Sequence, residues 1–269
     1  MKTREKNIKD IVKSKYNLIA TQSKSQNETS CCGSTGCCDT MDYTIMSDDY
    51  SHLTGYNADA DLGLGCGLPT EFAKISVGDT VLDLGSGAGN DCFVARSIVG
   101  ESGRVIGIDF APNMLKKARE NTAKLGYTNV EFIKGDIEEI PVPDDSIDII
   151  VSNCVLNLVP DKEKAFKQMF RVLKNGGHFS VSDIVLQGEL PDELVKNAEM
   201  YAGCVAGAIQ KDNYLDIIYK SGFKNVIIQK EKEIILPDEI LKNYLSEKGL
   251  KEYKSRELGI YSITVYAEK

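Results

Sequence analysis

Imidazole and indole are the scarcest chemistry in this chain: His52 and His178 are its two histidines, and it has no tryptophan. A reaction built on histidine proton transfer therefore has two carriers at most. Long apolar runs are missing too, since none reaches the roughly 18 residues that a membrane-crossing helix requires. The opening stretch Met1 to Asp10 is polar, unlike a secretory leader. A cytoplasmic protein is expected, in a compartment that keeps thiols reduced. Positive charge is in deficit: 32 Lys and Arg stand against 40 Asp and Glu, for a net charge of −8. That balance argues against a nucleic-acid partner, which is recognised by clustered basic residues. No internal repeat is evident, and the one biased tract is rich in cysteine.

What the chain does have is glycine at a telling spacing. Val81-Leu82-Asp83-Leu84 runs into Gly85-Ser86-Gly87-Ala88-Gly89, and an apolar helix-like stretch, Cys92 to Val99, follows. A strand, a tight turn and a helix start are expected, with a ligand approaching the main chain where side chains are missing. A dinucleotide fold would space its glycines Gly-x-Gly-x-x-Gly. Here the third glycine comes one residue early. The next strand, Arg104 to Ile108, ends at Asp109, whose two carboxylate oxygens suit a pair of ribose hydroxyls.

Along the chain, Ile8, Ile11, Val12, Tyr16 and Ile19 recur at helical spacing, which predicts an amphipathic helix lying on the main domain. A polar loop then leads to Cys31-Cys32-Gly33-Ser34-Thr35-Gly36-Cys37-Cys38, which lacks the Cys-x-x-Cys spacing usual in structural zinc sites and reads as a mobile thiol segment. Cys66 stands among Gly63, Gly65 and Gly67, a pattern that predicts exposed irregular backbone. Pro112 starts a helix to about Leu125, with Met114 inward. Strand three is Val130 to Lys134, before Asp136 and Ile137. Strand four, Ile147 to Ser152, runs into Asn153 and Cys154, at the sheet edge where ligands of open α/β sheets collect. A helix from Lys162 to Leu173 is expected to stop at Asn175-Gly176-Gly177, followed by a short strand, His178 to Ser182, with His178 structural. Asp192 to Ala208 reads as a helix carrying Cys204 among small residues. Two β-rich stretches, Val226 to Ile235 and Tyr261 to Ala267, would complete a seven-stranded, mostly parallel sheet with an antiparallel strand at one side. The division expected is residues 1–65, an N-terminal helix and Cys-rich segment; 66–185, an α/β core; and 186–269, a helix and the sheet-completing region.

The pattern Asp-x-Gly-x-Gly-x-Gly at Asp83 to Gly89 resembles the first motif of class I S-adenosylmethionine-dependent methyltransferases. Leu64-Gly65-Cys66-Gly67, Ser152-Asn153-Cys154-Val155 and Ala202-Gly203-Cys204-Val205 further resemble the cysteine motifs of arsenite S-adenosylmethionine methyltransferases. The resemblance implies a Rossmann-like α/β fold with N-terminal and C-terminal extensions. It implies cofactor binding by Asp83, Gly85, Ser86, Gly87, Gly89, Asp109, Met114, Asp136, Ile137 and Asn153, the Asp136 end facing adenine; a turn or capping role is the alternative for Asp136. It also implies Cys66, Cys154 and Cys204 as ligands of arsenic(III), with a redox thiol among Cys31, Cys32, Cys37 and Cys38.

The chemistry is consistent with that likeness. Trivalent arsenic is soft and prefers thiolate to oxygen or imidazole. Held by three sulfurs it keeps an outward lone pair able to attack a sulfonium methyl, and no general base is needed. Each transfer raises arsenic to the pentavalent state, so a thiol from the Cys-rich loop, pairing with Cys66, and a thioredoxin- or glutathione-type reductant are expected partners. Arsenite and methylated or thiol-conjugated arsenicals are the expected substrates. Three rivals remain at this level: a methyltransferase of an organic small molecule with incidental cysteines, a non-catalytic metalloid-binding protein, and a nicotinamide oxidoreductase, which the glycine spacing disfavours. Cys92, among Phe93, Val94 and Ala95, reads as a core residue.

Overall fold

Short apolar runs become strands here because both of their faces are covered. Val81, Leu82 and Leu84 are fully buried, as are Val105, Ile108, Ile150 and Val151, the signature of parallel strands packed between helices. In the computed structural model the described residues are 2–22, 27, 48–189, 191, 207–236, 238–255 and 259–269. Strand β1 (Thr80–Leu84) lies between β2 (Arg104–Asp109) and β4 (Ile147–Asn153), parallel to both, with β3 (Val130–Lys134) beyond β2. β5 (Leu173–Gln187) adds in parallel beside β4. β8 (Gly259–Glu268) is antiparallel to β5, and β7 (Lys224–Glu233) pairs antiparallel with β8. The order is β3-β2-β1-β4-β5-β8-β7, with the two-residue β6 (Ile209–Gln210) beside the end of β5. The expected seven-stranded sheet forms, and its antiparallel strand is the last but one.

Alternate strand residues feed two cores. Val81, Val105, Ile149 and Val151 pack with α3 (Asn90–Val99) and α4 (Pro112–Leu125), while Leu82, Leu84, Ile106 and Ile150 pack with α5 (Lys162–Val172) and α6 (Lys211–Lys220). The N-terminal helix α1 (Lys2–Ile19) lies on the main body through Val12 and Ile19, but Ile11 is exposed, so its buried face is narrower than the spacing predicted. A short helix, α2 (Pro69–Phe72), precedes β1, and Asp238–Tyr244 and Glu247–Ser255 form two helices between β7 and β8.

Two expectations at β5 are corrected. The helix before it ends at Val172, and Asn175 to Gly177 do not stop a helix but form an irregularity inside the strand, with Gly176 at φ 79°. Ile147 pairs with Leu173 and Ile149 with His178, so extra residues are looped out, as in a bulge. The strand also continues to Gln187, because β8 pairs with it over His178 to Gln187. His178 Nε2–H donates to the Ala73 carbonyl at 2.7 Å, and the ring stands against that of Tyr266, away from the ligand-facing strand ends. The expected helix from Asp192 to Ala208 lies outside the described residues except at Gly207 and Ala208, which are not helical.

Phe166 on α5 joins the layers: fully buried, its ring lies 5.9 Å from Phe179 and 5.6 Å from Tyr214. Phe166→Ala is predicted to destabilise the fold by about 3–5 kcal/mol. The check is a urea titration with unchanged slope; a loss under about 1 kcal/mol would show that this ring is not the packing centre.

Candidate active site

At the end of β1 the chain turns through Gly85, Gly87 and Gly89, all at positive φ (71°, 52° and 99°). The Gly85 and Ser86 N–H groups donate to the Ile108 carbonyl at 2.8 and 2.9 Å, and Gly87 N–H donates to the Asp109 carboxylate at 3.0 Å. Ala111 N–H reaches the other Asp109 oxygen at 2.8 Å. The turn and the end of β2 are thus one hydrogen-bonded unit. A Cβ at Gly87 would meet nothing within 4 Å, so this backbone faces open space. The buried Ser86 hydroxyl has no protein partner among the described residues.

That space opens into a cleft, the concave setting in which small-molecule sites are found. Ser86, Asp109, Met114, Asn153 and Cys154 all line it, and α1 contributes Val12 and Tyr16 from above. Asp136 and Ile137 do not join this group. They line an adjoining hollow of about 420 Å³ that shares Val12, Phe110, Val155 and Leu158 with the cleft. Asp136 is held there by Lys9 of α1 at 2.6 Å, and it also accepts from the Glu138 N–H at 2.9 Å.

Acidic groups dominate the cleft floor. Burial pushes the Asp109 carboxyl up to about 6 despite the N–H groups of Ala111, Gly87 and Phe110, and it pushes Asp91 to about 6 against hydrogen bonds from Tyr50, Asn153 and Thr70. Asp83 lies deeper and is driven well above the usual range by burial and by the charge of Asp91; the Cys92 thiol donates to it at 3.2 Å. Buried carboxylates that repel one another are complementary to a cationic ligand.

The thiols overturn one expectation. Cys66 is fully buried, not exposed. A Cβ on Gly65 would come within 2.6 Å of Asn153 Nδ2, and one on Gly67 within 2.5 Å of Ser182 Oγ. These glycines are needed for close packing against β4 and β5, where sequence had read them as looseness. Cys154, also buried, adopts φ 59°, uncommon outside glycine, and its N–H donates to the Ser182 carbonyl at 2.7 Å. Cys66 and Cys154 share one apolar cluster with Leu158, Ile184 and Ala208. Burial pushes the Tyr214 phenol well up, and negative charge at Asp183 and at both thiols adds to that rise. Cys204, Cys31, Cys32, Cys37 and Cys38 lie outside the described residues. Among the described residues no three His, Cys, Asp or Glu side chains are grouped to hold a metal ion, and no helix is long and apolar enough to cross a membrane.

Residues 75–222 match the family model described as "Methyltransferase domain". The chain belongs to the methyltransferase family. It is 40% identical over 273 residues to the arsenite methyltransferase of Halobacterium salinarum, covering 97% of this chain and 66% of that protein. It is 38% identical over 170 residues to the human arsenite methyltransferase, covering 57% of this chain and 45% of that one. Among solved structures it is similar to the arsenic(III) S-adenosylmethionine methyltransferase of Chlamydomonas reinhardtii, with TM-score 0.65 and 35% identity over 76% of this chain and 67% of that one. The chain spans about half to two thirds of the length of these curated relatives.

S-adenosylmethionine fits the methyltransferase cleft on its own chemistry. The ligand carries a sulfonium and an ammonium for the carboxylates, and ribose hydroxyls for Asp109. The unpartnered Ser86 hydroxyl and the open face at Gly87 leave polar and steric room for it. Sequence reasoning missed Tyr50, Asp61, Asp91 and the α1 residues Val12 and Tyr16, all of which line the cleft. Asp91 had a local signal, as an acidic residue directly after the glycine turn; the others come from distant segments.

Asp91 and Asp109 set a pH dependence. Both rise from 3.8 to about 6 on folding, so the folded protein binds more protons than the unfolded chain between these values. Their contribution to stability is greatest below pH 4 and is lost as pH rises through 6, whereas a cationic ligand needs them ionised. S-adenosylmethionine affinity by calorimetry is predicted to fall about fivefold or more from pH 7.5 to 5.5. A flat profile would remove these carboxylates from the binding site.

Proposed function

We propose that this methyltransferase transfers methyl groups from S-adenosylmethionine to trivalent arsenic held by cysteine thiolates, giving methylated arsenicals as a route of arsenic detoxification. The observation that carries this reading is the pair of buried thiols, Cys66 and Cys154, in one apolar cluster, with Cys154 and Gly65, the neighbour of Cys66, lining the acidic cleft. The names of the relatives point the same way.

In this reading Asp109 takes the ribose hydroxyls, Ser86 and the Gly85 to Gly89 main chain line the cofactor, Met114 and Ile137 pack near the adenine, and Asp83 supports the turn from beneath. When bound, the cofactor supplies an electrophilic methyl group on sulfonium sulfur. Cys66, Cys154 and Cys204 each exchange a thiol proton for an arsenic–sulfur bond as a hydroxyl of arsenite leaves with that proton as water, and three sulfurs leave the arsenic lone pair free to face the cleft. Buried walls exclude water and fix the approach, and alignment of this kind can contribute about 7–11 kcal/mol. No side chain has to remove a proton from the nucleophile, consistent with two histidines, of which His178 is occupied at the far end of its strand. Methyl transfer leaves arsenic pentavalent. Two thiols, one from among Cys31, Cys32, Cys37 and Cys38 and one at Cys66, return two electrons by closing a disulfide, which a thioredoxin- or glutathione-type reductant in the cytoplasm reopens.

The test is incubation with arsenite, S-adenosylmethionine and a thiol reductant, with arsenic species separated by chromatography. Methylated arsenic is expected. Cys154→Ser and Cys204→Ser are each predicted to lower its formation by about a hundredfold or more while the fold persists, since a hydroxyl is a poor ligand for a soft centre. Full activity in either variant would refute the thiolate role and favour an organic methyl acceptor. Changing Cys31, Cys32, Cys37 and Cys38 together to Ser should slow turnover of arsenite more than of a methylated, thiol-bound arsenical; equal slowing would remove the redox role.

A further inference from the structure

Asn153, the last residue of β4, uses both ends of its amide. Its Oδ1 accepts from the Cys66 N–H at 2.9 Å, while its Nδ2 donates to the Gly67 carbonyl at 2.8 Å and to the Tyr50 hydroxyl, with a longer contact of 3.4 Å to the Asp91 carboxylate itself. The backbone partners fix which end is which, because a peptide N–H needs an acceptor and a carbonyl needs a donor. Tyr50 is buried, and its hydroxyl lies 2.9 and 3.1 Å from the two oxygens of Asp91. The phenol has one hydrogen and two acceptors in reach, the Gly67 carbonyl at 3.1 Å and the nearer Asp91 carboxylate, and an ionised carboxylate is the stronger of the two. One hydrogen-bonded line therefore runs from the main chain of a thiol residue, through an amide and a phenol, to a charged group in the cofactor cleft.

The sheet order says which part of the cofactor meets that line. Asp109 closes β2, and Asp136 and Ile137 follow β3, all on one side of β1, whereas Asn153 closes β4 on the other side. A nucleoside lying toward β2 and β3 leaves the amino-acid end of the molecule over β4, beside Asp91 and Asn153. An ammonium group there meets the one carboxylate that already holds Tyr50.

We propose that Asp91, Tyr50 and Asn153 couple the two sites, so that an ammonium group on Asp91 fixes the phenol and amide and thereby the Cys66 loop, and each ligand strengthens binding of the other. Tyr50 and Asn153 are positioning residues in this scheme. Hydrogen bonds in such a chain polarise one another, and a loop ordered in advance loses less entropy on taking its ligand. The coupling must be reciprocal. It rests on the reading of Cys66 as an arsenic ligand.

The experiment is calorimetric titration of arsenite into the full chain, alone and saturated with S-adenosylhomocysteine, which carries the ammonium but has no methyl to transfer. The expected result is about tenfold tighter arsenite binding with S-adenosylhomocysteine present, within the usual span of coupling between sites. Methylthioadenosine, which lacks the amino-acid end, should give less than about twofold, as should S-adenosylhomocysteine with Tyr50→Phe or Asn153→Ala. Because the factor is a ratio within one variant, a general loss of packing or of affinity does not move it, and Tyr50→Phe keeps the buried ring. Arsenite binding with equal affinity in both states, or an undiminished factor in Tyr50→Phe, overturns the coupling and leaves the thiol site standing. Failure of the native protein to bind arsenite while it binds S-adenosylhomocysteine overturns the thiol reading, and the coupling with it.

Discussion

A missing side chain at Gly85 is the constraint on which the site depends. A Cβ there would stand 2.4 Å from Cγ2 of Val155, closer than any stable contact. Because it is missing, the turn after β1 and the turn after β4 pack directly together, and Cys154, one residue before Val155, is held at the wall of the cleft. The same device recurs at Gly65 and Gly67, whose bare backbone lets the Cys66 segment settle on Asn153 and Ser182. Three segments distant in sequence are joined at van der Waals range by the absence of three methyl groups.

A buried polar layer supports this junction from below. Asp183 of β5, pushed to about 7 by burial, accepts from the Tyr214 hydroxyl at 3.1 Å and from the backbone N–H groups of Ile184 and Asn157. Lys162 donates to the carbonyls of Asn157 and Val159, each at 3.1 Å. The Leu156–Leu158 turn that follows Cys154 is therefore gripped through its main chain. Such a grip is suited to holding Cys154 at a backbone angle that non-glycine residues seldom adopt, a strain found most often at functional positions. Above the junction the carboxylates of Asp83, Asp91 and Asp109 carry the opposite tension: they are costly to keep ionised when buried, and the free energy is recovered when a cation arrives. The buried thiols and the buried carboxylates thus share one strand-end platform, with α1 lying across its mouth through Val12 and Tyr16.

How much of this could be read from the chain alone follows from the range of each interaction. The four strands β1 to β4 were legible to within a residue or so, and so were the glycine turn, Asp109, and the helix from Pro112 to Leu125, because strand burial, turn conformation and helix starts are imposed by neighbours a few residues away. The presence of Cys66 and Cys154 in short glycine- and asparagine-flanked motifs was equally local. The full length of β5 was not, since its last residues are strand only through pairing with β8, which is formed by the end of the chain. Nor was the burial of Cys66: glycine codes equally for freedom and for closeness, and only the positions of Asn153 and Ser182 show that closeness is what it serves here. Tyr50 and Asp91 meet because hydrogen bonds across 41 residues of sequence bring them together, and Ile11 is exposed because α1 rests on the main body through Val12 and Ile19. Periodicity fixes which residues are able to face inward, while the identity of what they face is a property of the packed chain.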